Sequence, residues 1–210
     1  VSTAQEGGGL VGIAYENCDI ENSYSTGHIK KSVYSAGGLI GAVASDNIKI
    51  KNSYSTSDVS TEPSTASNCL TETSGGFAGF VGGNSVLIQN SYSTGNVGVC
   101  DNSYGGVSVG GFAGNIEDGS TVENVYSTGK VISKNSINAD GDINIGGIVG
   151  TLGDSYDDNG DISVLKDSYY DSQTTQKSSS VGNIATDHGE EQGKVTGLTT
   201  SEMQGSGASS

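Results

Sequence analysis

The chain has no tryptophan and no arginine, a single proline, a single methionine and only three cysteines in 210 residues. Each shortage excludes something. Without arginine there is no bidentate clamp for phosphate or carboxylate. Nine lysines against 24 acidic residues leave a net charge of −15, and a surface of that sign repels nucleic acid and anionic lipid. No apolar run approaches the roughly 18 residues that a membrane-spanning helix needs, and no signal peptide is visible. One proline suits long runs of backbone pairing, because proline cannot donate to a sheet ladder. The three cysteines assign no redox compartment. Hydrophobic residues make up 32%, low for a globular core, and 34 glycines among many Ser, Thr and Asn would suit a disordered chain. The apolar positions argue otherwise, since they recur in register.

What is present is a repeat. Ile20-Glu21-Asn22-Ser23-Tyr24-Ser25-Thr26-Gly27-His28-Ile29 returns at Ile50–Val59, Ile88–Val97 and Val122–Val131, and in worn form at Leu165–Asp171. Ahead of each copy stands a glycine signature: Gly8–Gly12, Gly37–Gly41, Gly75–Gly79, Gly110–Gly114 and Gly146–Gly150. Their starts lie 29, 38, 35 and 36 residues apart. A near-constant period of this size marks a repeat architecture. Val107-Ser108-Val109 and Ile143-Asn144-Ile145 alternate with period two, the mark of a half-buried strand. The glycine pairs allow a turn or a close backbone approach. The expected fold class is all-β: a parallel β-solenoid of about five repeats, right-handed by the strand–crossover–strand preference. One coil per repeat predicts a rod of about 24 Å, two coils about 50 Å.

Stacked repeats would align like residues. Asn22, Asn52, Asn90 and Asn124 form one expected column, closed by Asp167; Tyr24, Tyr54, Tyr92, Tyr126 and Tyr169 form another. Amide ladders and offset aromatic stacking stabilise such columns. The column Glu21, Lys51, Gln89, Glu123, Lys166 sets Glu against Lys twice and never opposes like charges. His28 shares a variable polar turn position with Asp58, Asn96 and Lys130, so it reads as a surface residue and not a ligand.

The signature Gly-Gly-[Leu/Ile/Phe]-[Val/Ile/Ala]-Gly with Asn-Ser-Tyr-Ser-Thr-Gly-x-Val resembles the GLUG-motif repeat family, and Asp167–Gln173 with Gly197–Met203 resembles the usual end of such arrays. The likeness spans residues 7–204, departing at Ser57, at Val125 and in oversized loops. It implies a parallel β-solenoid, with no catalytic residues to carry over, within a secreted or surface-attached bacterial protein. Adhesins of the filamentous-haemagglutinin kind and extracellular peptidases are the contexts it implies. The pattern starts within a few residues of Val1, so the chain reads as an excerpt of a larger parent. An extracellular or cell-surface location follows from the resemblance.

Between the repeats lie polar insertions at 57–74, 96–109, 132–144 and 153–163, expected to gather on one face, often the binding face of a solenoid. If consecutive coils stack, Cys69 and Cys100 become neighbours and a disulfide between them is expected, with three free thiols as the alternative. Asp154, Asp157, Asn159 and Asp161 surround a glycine turn and offer oxygens to calcium, although Ser155 and a missing final glutamate depart from a calcium loop. No other cofactor is expected. No Cys or His spacing fits zinc. Sugar contact needs an aromatic and a few amides. Outside the ladder the candidates are Tyr15, Tyr34, Tyr104 and Tyr156; packing is the first reading of each, and Tyr104 and Tyr156, inside insertions, are the first guesses for contacts.

Catalysis finds little support. There is no nucleophile elbow, no Cys–His arrangement, and no carboxylate pair distinguished by repeat position. One threonine per repeat (Thr26, Thr56, Thr94, Thr128) is too few for an ice-binding rank. The sequence reading is a non-catalytic module that contacts a host glycan or extracellular protein through its loops. A rigid spacer presenting another domain is the alternative, and a carbohydrate-active β-helix enzyme the remote one. Residues 1–171 form the repeats. Residues 172–204 are expected to be an irregular segment (to Gly193) ending in a short helix, with a Thr199-x-x-Glu202 capping box and Leu198 and Met203 as cover. Residues 205–210 read as a tail or linker.

Overall fold

The computed structural model describes residues 6–30, 34–60, 72–100, 106–117, 119–134, 143–153, 161–185 and 189–205, with backbone alone at 99–100 and 133–134. It is a parallel β-solenoid with one coil per repeat, so the shorter rod is the correct one. The first four coils each contribute in turn to four sheets, and the fifth to three of them. The first sheet holds Glu6–Gly8, Ser35–Gly37, Thr73–Gly75, Val107–Gly110 and Ile143–Gly146. The second holds Val11–Ala14, Ile40–Ala44, Ala78–Gly82, Ala113–Ile116, Val149–Leu152 and Val181–Ile184. The third runs from Asp19–Glu21 through Lys49–Lys51, Leu87–Ser93, Thr121–Ser127 and Ser163–Asp171 to Gly189–Leu198, with Tyr24–Ser25 and Tyr54–Ser55 beside it. The fourth holds His28–Lys30, Asp58–Ser60, Val97–Cys100 and Val131–Lys134. Register follows the motif: Gly8, Gly37, Gly75, Gly110 and Gly146 pair in succession, as do Ile20, Ile50, Ile88, Val122 and Leu165.

Each glycine of the signature answers a different contact. A Cβ on Gly37 would lie 1.8 Å from the Ile40 carbonyl across a sharp turn. On Gly76 it would lie 2.2 Å from the Gly111 carbonyl of the next coil. On Gly79 it would lie 2.6 Å from the Ala36 amide, so the second sheet presses its glycines onto the backbone of the first. This contact corrects the expectation of a half-buried strand. Val107–Gly110 is buried at every position because the second sheet covers its outer side.

The core divides in two. The larger column packs Leu39, Phe77, Phe112 and Ile148 with Ile50, Ile88, Val122 and Leu165, all fully buried, and Phe77 and Phe112 stack with centroids 4.6 Å apart. The smaller joins Ala36, Val59, Val97, Val107, Val109 and Val131. Serines lie inside as well, and among the described residues all but Ser74 and Ser163 find hydrogen-bond partners, the usual state of buried hydroxyls. Ser25, Ser93 and Ser127 donate to the carbonyls of Gly38, Gly111 and Gly147 at 2.6, 2.6 and 2.5 Å.

The stretch expected to be irregular, Ser172–Gly193, is a second correction. It holds helix α1 (Ser172–Thr175), the strand Val181–Ile184 and the start of Gly189–Leu198, which continue the second and third sheets. Gly189–Leu198 is long and largely exposed, so its apolar pattern is too faint to announce a strand; backbone pairing with Ser163–Asp171 makes it one. Helix α2 (Thr200–Met203) follows, and its Thr199–Glu202 capping box is formed as read. Among the described residues no helix is long and apolar enough to cross a membrane.

Candidate functional site

The third sheet carries the surface columns. In Leu87–Ser93 both Ile88 and Ser91 are buried, three positions apart, which strict alternation forbids. Asn90 resolves this with φ of 53°, a left-handed residue that shifts the phase by one. Asn22, Asn52, Asn124 and Asp167 do the same at 50°, 50°, 55° and 47°. Asn and Asp are the non-glycine residues that adopt this conformation at least cost. Their amides then ladder: Asn124 Nδ2 donates to Asn90 Oδ1 at 2.6 Å and Asn90 Nδ2 to Asn52 Oδ1 at 3.4 Å. The following serine closes each kink. Ser53 and Ser91 donate to the carbonyls two residues back, at 2.8 and 2.9 Å, and Ser91 Oγ accepts from the Ser53 amide. Val125, the departure from serine, is buried in the larger core column instead.

The phase shift turns the tyrosines outward. Tyr24, Tyr54, Tyr92 and Tyr126 stack at 5.2, 4.9 and 4.8 Å, nearly parallel. Beside them, Glu123 and Lys166 close an ion pair at 2.8 Å. The stack ends at Tyr126: among the described residues Tyr169, its register partner, does not continue it. Beyond lies a cleft of about 460 Å³ lined by Tyr126, Thr128, Thr174, Thr200, Met203 and Gln204, with Asp171 at its base. Burial, and then the Tyr92 phenol, push the Tyr126 hydroxyl above the ordinary tyrosine range, so it remains a neutral donor. Asp171 is the N-cap of α1 and accepts from the Gln173 and Thr174 amides at 2.9 and 3.1 Å. Burial alone would raise its carboxyl; hydrogen bonds from Thr200 and from Thr174 and Gln173 outweigh it and hold the group below the usual carboxylate value.

The described flanks of insertions 57–74, 96–109 and 132–144 are a strand of the fourth sheet on one side, where Ser60 pairs with Gly98 and Gly98 with Ile132, and a strand of the first sheet on the other; residues 61–71, 101–105 and 135–142 between them lie outside the described residues. Residues 154–160 instead join the second sheet to the third. The expectation of one face for all four insertions falls on residues outside the described ones; what the flanks show is that three insertions lie between the fourth sheet and the first in chain order and one between the second and the third.

Most residues singled out from sequence fall outside this description. Cys69, Tyr104, Tyr156, Asp154, Asp157 and Asn159 lie outside the described residues, as does the Cys100 side chain. Asp161 is described and half-buried, with its Cβ beside Gly119. Among the described residues no group of three His, Cys, Asp or Glu comes together. Cys18 is a free thiol packed against the larger core. Tyr15 and Tyr34 are exposed, against their reading as packing residues, and His28 is a surface residue 3.3 Å from Asp58. The cleft at Tyr126 was missed. Its one signal was the break from Tyr-Ser-Thr to Tyr169-Tyr170-Asp171 in the last copy, where Tyr170 turns inward against Gly147 and Gly197.

Against known proteins, no curated protein matches the chain. A family model does, in two stretches: residues 3–30 and 105–132, in the first and fourth coils, are similar to the GLUG motif.

Proposed function

We propose that this chain is a non-catalytic module of a bacterial surface or secreted protein, contacting a host glycan or an extracellular protein through its insertions. The observation that carries the reading is the common setting of three insertions. They differ in length, yet each follows a strand of the fourth sheet and precedes a strand of the first, while the strands between them hardly vary. Variable segments on an invariant scaffold are the usual form of a recognition surface. The acidic surface argues for neutral or basic partners.

A second reading, a rigid spacer that presents another domain, is supported by the asparagine ladder from Asn52 to Asn124 and the tyrosine stack from Tyr24 to Tyr126. One experiment separates them. The 210-residue chain is screened against a glycan array and a panel of extracellular matrix proteins, beside variants with 61–71, 101–105 or 135–142 shortened. Binding lost on shortening, with the far-UV circular dichroism unchanged, supports contact. A folded protein that binds nothing supports the spacer.

A further inference from the structure

Among the described residues that line the cleft at the end of the tyrosine stack, none belongs to an insertion, so its chemistry is separate from theirs. Its chemistry is specific. Tyr126 lines the cleft, and among the described residues its ring stacks on Tyr92 alone. Every ring inside the stack has both faces occupied by its neighbours. Met203 adds a second apolar surface, and Thr128, Thr174, Thr200 and Gln204 supply hydroxyls and an amide. The Thr174 and Thr200 hydroxyls already donate to Asp171, which leaves their lone pairs to accept. Two links hold the walls in place: the Thr200 amide donates to Gln173 Oε1 at 3.0 Å, and Ser172 Oγ to the Leu198 carbonyl at 3.0 Å. The volume lies within the range of small-ligand sites, about 300–1,000 Å³.

We propose that this cleft binds a neutral saccharide, with the apolar face of one pyranose ring against Tyr126 and its hydroxyls toward the threonines and Gln204. A flat aromatic face beside short hydroxyls and an amide matches a molecule with an apolar C–H face and a rim of hydroxyls. Anions are disfavoured, because among the described residues no cation lines the cleft and a carboxylate stands at its base. Organic cations are disfavoured too. The Asp171 charge is already met by two backbone amides and by threonine hydroxyls, and little of it projects to a ligand.

Met203 is the only methionine in the chain, so a ¹³C-methyl label reports on the cleft with a single resonance. The protein is titrated with methyl glucosides, galactosides and mannosides, N-acetylglucosamine and their disaccharides, then with sialic acid and tetramethylammonium. The expected result is a saturable shift of the Met203 methyl with one or more neutral sugars and none with the two charged probes. Tyr126→Phe keeps the ring face and should bind as the parent does; Tyr126→Leu should bind about tenfold more weakly, the loss of one aromatic contact. Thr128→Val, a surface change, should also weaken binding and serves if Tyr126→Leu does not fold. No shift with any neutral sugar, a shift with tetramethylammonium alone, or affinity unchanged in both Tyr126→Leu and Thr128→Val would overturn the proposal. Shortening the insertions should leave the Met203 titration unchanged, so this site and the insertions can fail independently.

Discussion

Leu10 and Phe77 hold the same place in their repeats, yet Leu10 is 49% exposed and Phe77 is wholly buried. Tyr24 and Tyr92 differ in the same sense: Tyr24 is exposed, whereas Tyr92 lies between two rings. The first coil and the third have nearly the same sequence and different environments. In a solenoid a side chain is buried by the next coil as much as by its own, so the energy of a motif depends on its neighbours. At the other end the comparison reverses. The last repeat is worn, but Val181–Ile184, Gly189–Leu198 and the two short helices extend its sheets and cover it. Among the described residues the fuller motif belongs to the less covered coil, and the worn one to the coil that is covered.

The largest effect should come from the buried aromatic. Phe77→Ala removes one ring of the Phe77–Phe112 stack and should cost about 3–5 kcal/mol in urea unfolding, whereas Leu10→Ala should cost about 1 kcal/mol, in line with partial burial. Equal losses would mean that the first coil is covered in solution. The glycine signature sharpens the point. A Cβ at Gly79 would lie 2.5 Å from the Gly41 carbonyl, while at Gly12 the nearest atom is the Glu6 carbonyl at 3.4 Å. Gly79→Ala should lose about 1–3 kcal/mol through overpacking; Gly12→Ala should stay within about 0.5 kcal/mol of the parent. A Gly12→Ala protein as unstable as Gly79→Ala would refute the description of the first coil as less covered.

The asparagine column gives a smaller contrast. Asn90→Ala forfeits both ladder bonds and places alanine in a left-handed conformation, a loss of about 1–2 kcal/mol. Asn90→Gly should recover the backbone share, and Asn22→Ala should forfeit that share alone. Thermal melting of the three variants checks the order. The smallest effect belongs to the closed end. The Asp171 carboxyl is held below its ordinary value, so its folded pKa lies under the unfolded one. The stability it contributes is present above the unfolded value, about 3.9, and is lost as pH falls through the folded value. Asp171→Ala should therefore cost about 1 kcal/mol near neutrality and progressively less in acid. A difference between the two proteins that stays constant with pH would show that the carboxylate charge plays no part.

Much of this was legible before any coordinates. The glycine signature and the Asn-Ser-Tyr-Ser-Thr strand align the coils, since stacking like on like is the one arrangement that satisfies all copies together. The Thr199–Glu202 box is local chemistry and formed as written. The cleft was not legible, because Tyr126, Asp171 and Met203 are brought together only when the chain end folds back over the last coil. Nor was the face of the tyrosines, which depends on one left-handed residue that reverses the alternation.

The sequence by itself determined the period, the parallel pairing and the identity of each column, because a repeat constrains its own neighbours. Tertiary structure alone decided how many coils each repeat makes, which columns face water, which sheets flank each insertion and where the tyrosine stack stops. These depend on backbone contacts between sheets and on closure at the chain end, where the repeat no longer supplies a like neighbour.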